Sequence, residues 1–298
     1  MRKLTLFIIF TLILSVSCNR QEKIVVDEET GQIFNDSGFI RIATMPTIDC
    51  LPFYIAKERG LFDKEGIQVS FHCFTSHMDI DTALVGGSID GAFSDIIRTE
   101  YLQRKGKVKL TYLSATELQW WLISNKAARL NRLDQFGDKM IASTRFSATD
   151  YLTDITFAEV KTTNPVYRVQ INDVNVRLGM LLNNEMDAEW LPEPQATKAI
   201  IEGNKLLVKP KKDNLRFGVL AFRSKFAGKN KDKMEKLSKV YSMACDSLNK
   251  NGIQAYSAEL YKYCKVDTSV VNHMPKMIFT HAGKPTEKVL EAAHQYLK

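Results

Sequence analysis

From residue 39 onward the chain switches repeatedly between two rhythms: short runs with apolar residues at every second position, and longer stretches where they recur every three or four. FIRIATM (39–45) reads as a strand ending at Pro46, and the following helix stops near Gly60. IQVSFHCF (67–74) is a second strand, 79–85 a short helix ending at Gly86-Gly87, and GAFS (91–94) a third strand leading into a helix over 95–104. VKLTYLSA (108–115) and QWWLIS (119–124) read as two further strands. A second series opens after Arg132, with strands at 139–143, 166–172, 188–191 and 205–210 and helices at 147–160, 173–182 and 193–201. RFGVLAFR (216–223) predicts a returning strand, and 228–298 a helical, Lys-rich tail.

Strands alternating with helices of this length imply an α/β protein of two lobes, each a mostly parallel sheet flanked by helices. The expected boundaries are 39–124 plus 216–298 for the first lobe and 125–215 for the inserted second lobe. No repeat of fixed period is present, which excludes a solenoid.

The N-terminus points to export. Arg2 and Lys3 precede an apolar stretch over 4–16. As a helix that stretch spans about 20 Å, short of a hydrocarbon core of about 30 Å, so a signal peptide fits better than a membrane span. Ser15-Val16-Ser17-Cys18 is similar to the lipobox of bacterial lipoproteins, although Ser15 stands where leucine is expected. The resemblance implies a signal peptide over 1–17, lipidation of Cys18, a polar tether over 18–38 and a membrane-anchored, exported protein. The alternative is ordinary signal-peptidase cleavage leaving Cys18 free.

Composition narrows the class further. The chain is 45% hydrophobic and 25% charged with 15 Gly and 8 Pro, which excludes collagen, coiled coil and disorder. The net charge of +7 is spread among interleaved acids, unlike the clustered basic face of a nucleic-acid binder. Cys50, Cys73, Cys245 and Cys264 leave two options open: disulfides 50/73 and 245/264, or reduced, buried thiols. Phosphate-loop, dinucleotide, nucleophile-elbow and zinc-protease motifs are absent from the sequence. His72 and His77 are poorly spaced for a metal pair, so neither a metal nor a cofactor is expected.

PTIDCLPFYIAKERGLFDKEGIQVSF (46–71), ALVGGSIDGAFSD (83–95), LNRLDQFGDKMIAST (130–144) and LLNNEMDAEWLPEPQATKAIIEGNKLL (181–207) resemble four successive signatures of one family. These are the type II periplasmic solute-binding proteins of ABC importers, in the branch handling sulfonates, nitrate and the pyrimidine precursor of thiamine. The resemblance implies a monomer that closes two lobes on a small molecule and delivers it to a permease and ATPase. It also implies a binding role with no catalytic residue. A pyrimidine-synthase-like enzyme is the alternative from another class, but its cysteine-rich CCCFC run is missing and FHCF (71–74) is the nearest approach.

In open α/β sheets ligands sit beyond the carboxyl ends of the strands, so the turns there should line a cleft between the lobes. Those turns supply Thr47, Asp49 and Tyr54, then Thr75 and Ser76, then Ser94 and Asp95. Trp120 or Trp121 offers a flat face, and only one of the two can point into the cleft. In STRFSATDY (143–151), Thr144, Arg145 and Ser147 precede a helix whose free N–H groups would hold an anionic ligand group. The other reading makes Ser147 an N-cap and Arg145 a solvated charge. EWLPEP (189–194) brings Trp190 and Glu193, the latter either accepting from a ligand amine or compensating a helix N-terminus. Acids outnumber basic residues in these turns, a slight preference for an amine-bearing pyrimidine over a bare sulfonate or nitrate.

Overall fold

The computed structural model describes residues 24–26, 33–35, 38–209 and 216–298, which fall in two compact units, Met1–Phe39 and Ile40–Lys298. In the first unit β1 (Ile24–Val26) and β2 (Ile33–Asn35) pair antiparallel, with Ile24 opposite Asn35, so part of the expected tether forms a short ladder. The signal sequence and Cys18 lie outside the described residues.

The second unit begins with β3 (Ile40–Thr44), α1 (Leu51–Glu58), α2 (Leu61–Lys64), β4 (Val69–Cys73), α3 (His77–Gly86), β5 (Gly91–Asp95), α4 (Ile96–Arg104) and β6 (Leu110–Ala115). Next come β7 (Trp120–Ser124), β8 (Met140–Ser143), α5 (Ala148–Phe157), β9 (Tyr167–Gln170), α6 (Val174–Leu182), β10 (Ala188–Pro192), α7 (Gln195–Ile201) and β11 (Lys205–Val208). The chain ends with β12 (Gly218–Arg223), α8 (Ser224–Lys229), α9 (Lys231–Asn251), α10 (Ser257–Cys264), α11 (Thr268–His273) and α12 (Glu287–Tyr296).

Local chemistry sets the helix ends. Ser76, Asp95 and Asp173 accept backbone N–H bonds at the starts of α3, α4 and α6. Gly87, in the left-handed region at φ 75°, closes α3. α9 buries one stripe, Leu237, Val240, Tyr241, Ala244, Cys245 and Leu248, and packs on α1.

Two five-stranded sheets result, ordered β4-β3-β5-β12-β6 and β11-β7-β10-β8-β9. Both are mixed. In each, one strand opposes the other four: β12 runs antiparallel to β5 and β6, and β7 runs antiparallel to β10 and β11. Each reversed strand is the first after the chain changes lobe. Trp120–Ser124 therefore belongs to the second lobe, and the crossing falls before Trp120, not after Ser124 as the hydrophobic pattern suggested.

Two crossing segments run side by side at this hinge. Thr116 N–H donates to Gly218 O (2.8 Å), and Arg216 Nη1 donates to Glu117 Oε1 (2.5 Å), which also accepts from Thr280 N (3.1 Å). A Cβ on Gly218 would lie 2.2 Å from Thr116 Oγ1 and 3.0 Å from Leu118 N, so only glycine lets the segments approach this closely.

Candidate functional site

The two lobes meet through the turns that follow their strands, in three matched pairs. After β3 and β10, Ile48 N donates to Glu193 O (2.9 Å) and Gln195 Nε2 to Pro46 O (2.8 Å). After β4 and β9, Val174 N donates to Thr75 O (3.0 Å), Thr75 Oγ1 donates to Asp173 Oδ2, and Ser76 bridges Asp173. After β5 and β8, Ala148 N donates to Asp95 Oδ2 (3.1 Å) and Arg98 Nη1 to Arg145 O (2.8 Å). The lobes are thus closed on each other along the rim where the α/β architecture places a ligand.

At the third pair the free N–H of α5 is met by a carboxylate of the opposite lobe. Asp95 caps its own α4 through Arg98 N (2.8 Å) and holds Ala148 N with its second oxygen. Burial pushes its carboxyl up to about 6, against the lowering effect of these N–H donors and of the Arg98 guanidinium. The anion expected at this helix start is therefore present, and it belongs to the protein itself.

Arg145 is exposed, its guanidinium 5.4 Å from the Phe146 ring centroid, and does not reach the buried seam. Ser147 is the N-cap of α5, accepting from Thr149 N (3.1 Å) and donating to Thr144 O (2.6 Å). The backbone turns at Phe146 through a positive φ of 53°, unfavourable for a bulky residue, while the ring stacks on Tyr101 of the first lobe at 4.6 Å.

Trp120 is the tryptophan that meets the other lobe. Its ring lies 6.1 Å from that of His77 and 5.6 Å from the Arg177 guanidinium carbon, and its buried Nε1 has no hydrogen-bond partner. Trp121 points to the opposite face of the sheet, against a small cluster of Ile123, Leu181, Leu191, Ala196 and Ala199. Two more buried polar atoms are unpaired along the same rim: Ser94 Oγ, and Oε1 of Gln195, whose amide nitrogen already crosses to Pro46. Leaving such groups unpaired in the interior costs about 1–3 kcal/mol each.

Several expected cleft residues are committed elsewhere. Trp190 is enclosed in the second lobe, its Nε1 donating to Thr153 Oγ1 (2.9 Å). Tyr54 is buried in the first lobe, stacked on Tyr263 at 4.0 Å and donating to Met45 O (2.7 Å). The Glu193 carboxylate accepts from Thr197 N (3.1 Å) and Oγ1 (2.9 Å), which makes it a compensating acid of α7; burial pushes it up to about 7. Asp49 is held by Thr47 Oγ1 (2.6 Å) and Thr116 Oγ1 (3.0 Å), and burial pushes it up to about 6.

Two further residues stand on the seam, His77 in the turn after β4 and Arg177 on α6, and only Arg177 lies outside the turns where the α/β architecture predicts cleft residues. His77 begins α3; burial first, then the Arg98 and Arg177 charges, push its imidazole down to about 3, so it is neutral. Arg177 donates to Ile171 O (2.7 Å), Trp190 O (3.0 Å) and Thr144 Oγ1 (2.6 Å), all uncharged acceptors. Burial pushes Arg177 down and its neighbour Glu189 up, each charge opposing the other's shift. The signal for Arg177 is its place in α6, three residues after Val174 and four before Leu181, on the buried stripe where an arginine needs a reason.

Cys50, Cys73, Cys245 and Cys264 are all free thiols. Among the described residues no group of three or more His, Cys, Asp or Glu is arranged to hold a metal ion, and no helix is long and apolar enough to cross a membrane.

The fold has many solved counterparts. The alkanesulfonate-binding protein SsuA from Xanthomonas axonopodis pv. citri, bound to MOPS, superposes with a TM-score of 0.73 at 16% identity, covering 87% of this chain and 91% of that one. The periplasmic aliphatic sulphonate binding protein SsuA from Escherichia coli gives 0.70 at 18% identity over 87% and 90%. The periplasmic nitrate-binding protein NrtA from Synechocystis PCC 6803 gives 0.69 at 14% identity over 85% and 74%. No curated protein matches the chain in sequence. The two-lobed, mixed-sheet architecture is that of periplasmic binding proteins, and with a family model matching residues 36–262, the chain belongs to the NMT1-like family.

Proposed function

We propose that this protein is the solute-binding component of an ABC importer, capturing a small molecule by hinge closure between its lobes. The observation that carries the reading is the set of unpaired buried polar atoms, Ser94 Oγ, Trp120 Nε1 and Gln195 Oε1, on facing rims of two hinged lobes. A ligand that contacts both rims shifts the population toward the closed form. The NMT1-like family membership and the sulfonate- and nitrate-binding structural relatives support the same role.

For the ligand we favour a planar heterocycle carrying both acceptors and an exocyclic amine, of the kind found in thiamine-precursor pyrimidines. The indole N–H of Trp120 offers a donor, Gln195 Oε1 an acceptor and Ser94 Oγ either role. Asp95 already takes the α5 N–H that an oxyanion would use. A second reading, an alkanesulfonate or nitrate-like anion, is favoured by Arg177, whose hydrogen bonds all go to uncharged acceptors. The protein would work as a lipid-anchored monomer outside the cytosol, handing its ligand to a permease and ATPase, and without catalysing a reaction.

Thermal unfolding with a panel of aminopyrimidines, alkanesulfonates and nitrate tests both readings. The bound ligand raises the melting temperature by linkage. A shift with the aminopyrimidines supports the first, a shift with the anions the second, and a flat response across the panel refutes both. Palmitate labelling abolished by Cys18→Ala tests the anchor.

A further inference from the structure

The C-terminal helix α12 touches both lobes. Its apolar residues Val289, Leu290, Ala293, Tyr296 and Leu297 recur at helical spacing, and Val289 and Ala293 are buried. The helix packs on α4 of the first lobe, where polar ties fix it. His294 Nε2 is hydrogen-bonded to Glu100 Oε2 (2.8 Å), while Glu100 Oε1 accepts from the Tyr112 hydroxyl (2.6 Å) and from Gln103 Nε2 (2.8 Å). Arg104 Nη1 donates to Leu297 O, one residue beyond the helix.

Tyr296, the last residue of α12, meets the second lobe instead. Its ring stands edge to face with that of Tyr151 on α5, with centroids 5.4 Å apart. Tyr151 in turn packs on Phe217, at the crossing just before β12, at 5.2 Å. Burial first, and then the Asp150 carboxylate, raise the pKa of the Tyr296 hydroxyl, so hydroxyl and ring both lie against α5. Asp150 is held within the second lobe, accepting from Phe146 N (3.0 Å) and Arg168 Nη1 (2.9 Å).

We propose that α12 is a latch for the closed state: anchored on the first lobe, it seats Tyr296 against Tyr151 of the second. A helix tied to one lobe keeps its contact with the other in only one relative position of the two. Opening at the hinge carries α5 away with the second lobe, so the contact stabilises the closed form alone. Tyr296 is then a positioning residue, taking no part in the three turn pairs of the seam and setting how tightly they close. The latch rests on the hinge-closure reading above and on no particular solute.

Three backbone amides donate across the seam, one in each turn pair: Ile48 to Glu193 O, Val174 to Thr75 O and Ala148 to Asp95 Oδ2. Hydrogen exchange at these amides reports opening of the lobes, followed by NMR in the full chain with no solute added. Arg223 N and Tyr167 N are the controls, since their bonds to Asp90 O and Lys139 O each stay within one lobe. Tyr296→Ala should speed exchange at Ile48 and Val174 by about three- to tenfold, the scale of one aromatic pair, and leave the controls unchanged. Tyr151→Ala, on the other side of the contact, should do at least as much, and the double variant no more than Tyr151→Ala alone. Acceleration confined to Ala148 would make Tyr296 a local packing residue of α5 and overturn the proposal. Equal acceleration of the controls overturns it as well, because it marks a general loss of stability. Seam amides already unprotected in wild type would show that nothing latches the lobes. A flat thermal-shift panel refutes the solute reading without altering these exchange rates, so the two failures are told apart.

Discussion

Asp95 of the first lobe accepts a hydrogen bond from the backbone N–H of Ala148 in the second (3.1 Å), supplying across the seam the negative charge that the start of α5 attracts. A free helix N-terminus facing a cleft is a ready seat for an anion, and here the protein fills it with its own side chain. The same carboxylate caps α4, so closing the lobes does not require it to leave its place in the first lobe.

This arrangement has a pH signature. Asp95 is buried and its carboxyl rises from 3.8 to about 6, so the folded chain keeps the proton to higher pH than the unfolded chain does. The stability this group contributes is therefore fully present below about pH 4 and is lost as pH rises through about 6, a change of about 3 kcal/mol. Asp95→Asn removes the titration. The melting temperature of wild type minus that of Asp95→Asn should fall from about pH 4.5 to about pH 7.5. A difference that is constant or rises with pH would contradict the assignment.

The hydrophobic rhythm made the two-lobed α/β fold legible because strands and helices of this length leave a periodic trace. It could not show sheet partners. Trp120–Ser124 looks the same whether it closes the first sheet or opens the second, and only its pairing with Ala188–Pro192 decides. The site was legible where backbone position is enough, since the turns after the strands do meet. It was not legible where the outcome depends on what a side chain finds nearby: Trp190 finds Thr153, Tyr54 finds Met45 O and Tyr263, and Glu193, open between two roles, takes the helix-compensating one through Thr197. Arg145 and Asp95 show the same limit from the other side. An arginine beside a helix start suggested an anion site, but a carboxylate fifty residues earlier in the chain had taken it.

The hinge offers a second prediction. Gly218→Ala places a Cβ against Thr116 Oγ1 and against Leu118 N on the neighbouring crossing segment. The backbone contact cannot be relieved by a rotamer change, so the two segments must move apart. Overpacking of this kind costs about 1–3 kcal/mol, which urea unfolding would register as a lower midpoint with an unchanged slope. Wild-type stability in this variant would mean that the segments have room to spare.

Trp120 and Trp190 make the sharpest contrast between a binding residue and a structural one. Trp190 is about 1% exposed and its N–H is satisfied within the second lobe, so Trp190→Ala leaves a cavity and strands Thr153. The expected loss is about 3–5 kcal/mol of stability, measured by denaturant unfolding. Trp120→Phe keeps an aromatic ring against His77 and deletes an N–H that no protein atom uses. Stability should change by less than about 1 kcal/mol, while affinity for the solute should fall by about tenfold, the scale of one hydrogen bond. If Trp120→Phe binds the solute as wild type does, the indole N–H is a structural leftover and the ligand sits elsewhere along the seam. If it unfolds as readily as Trp190→Ala, Trp120 is a core residue whose position at the rim carries no functional meaning.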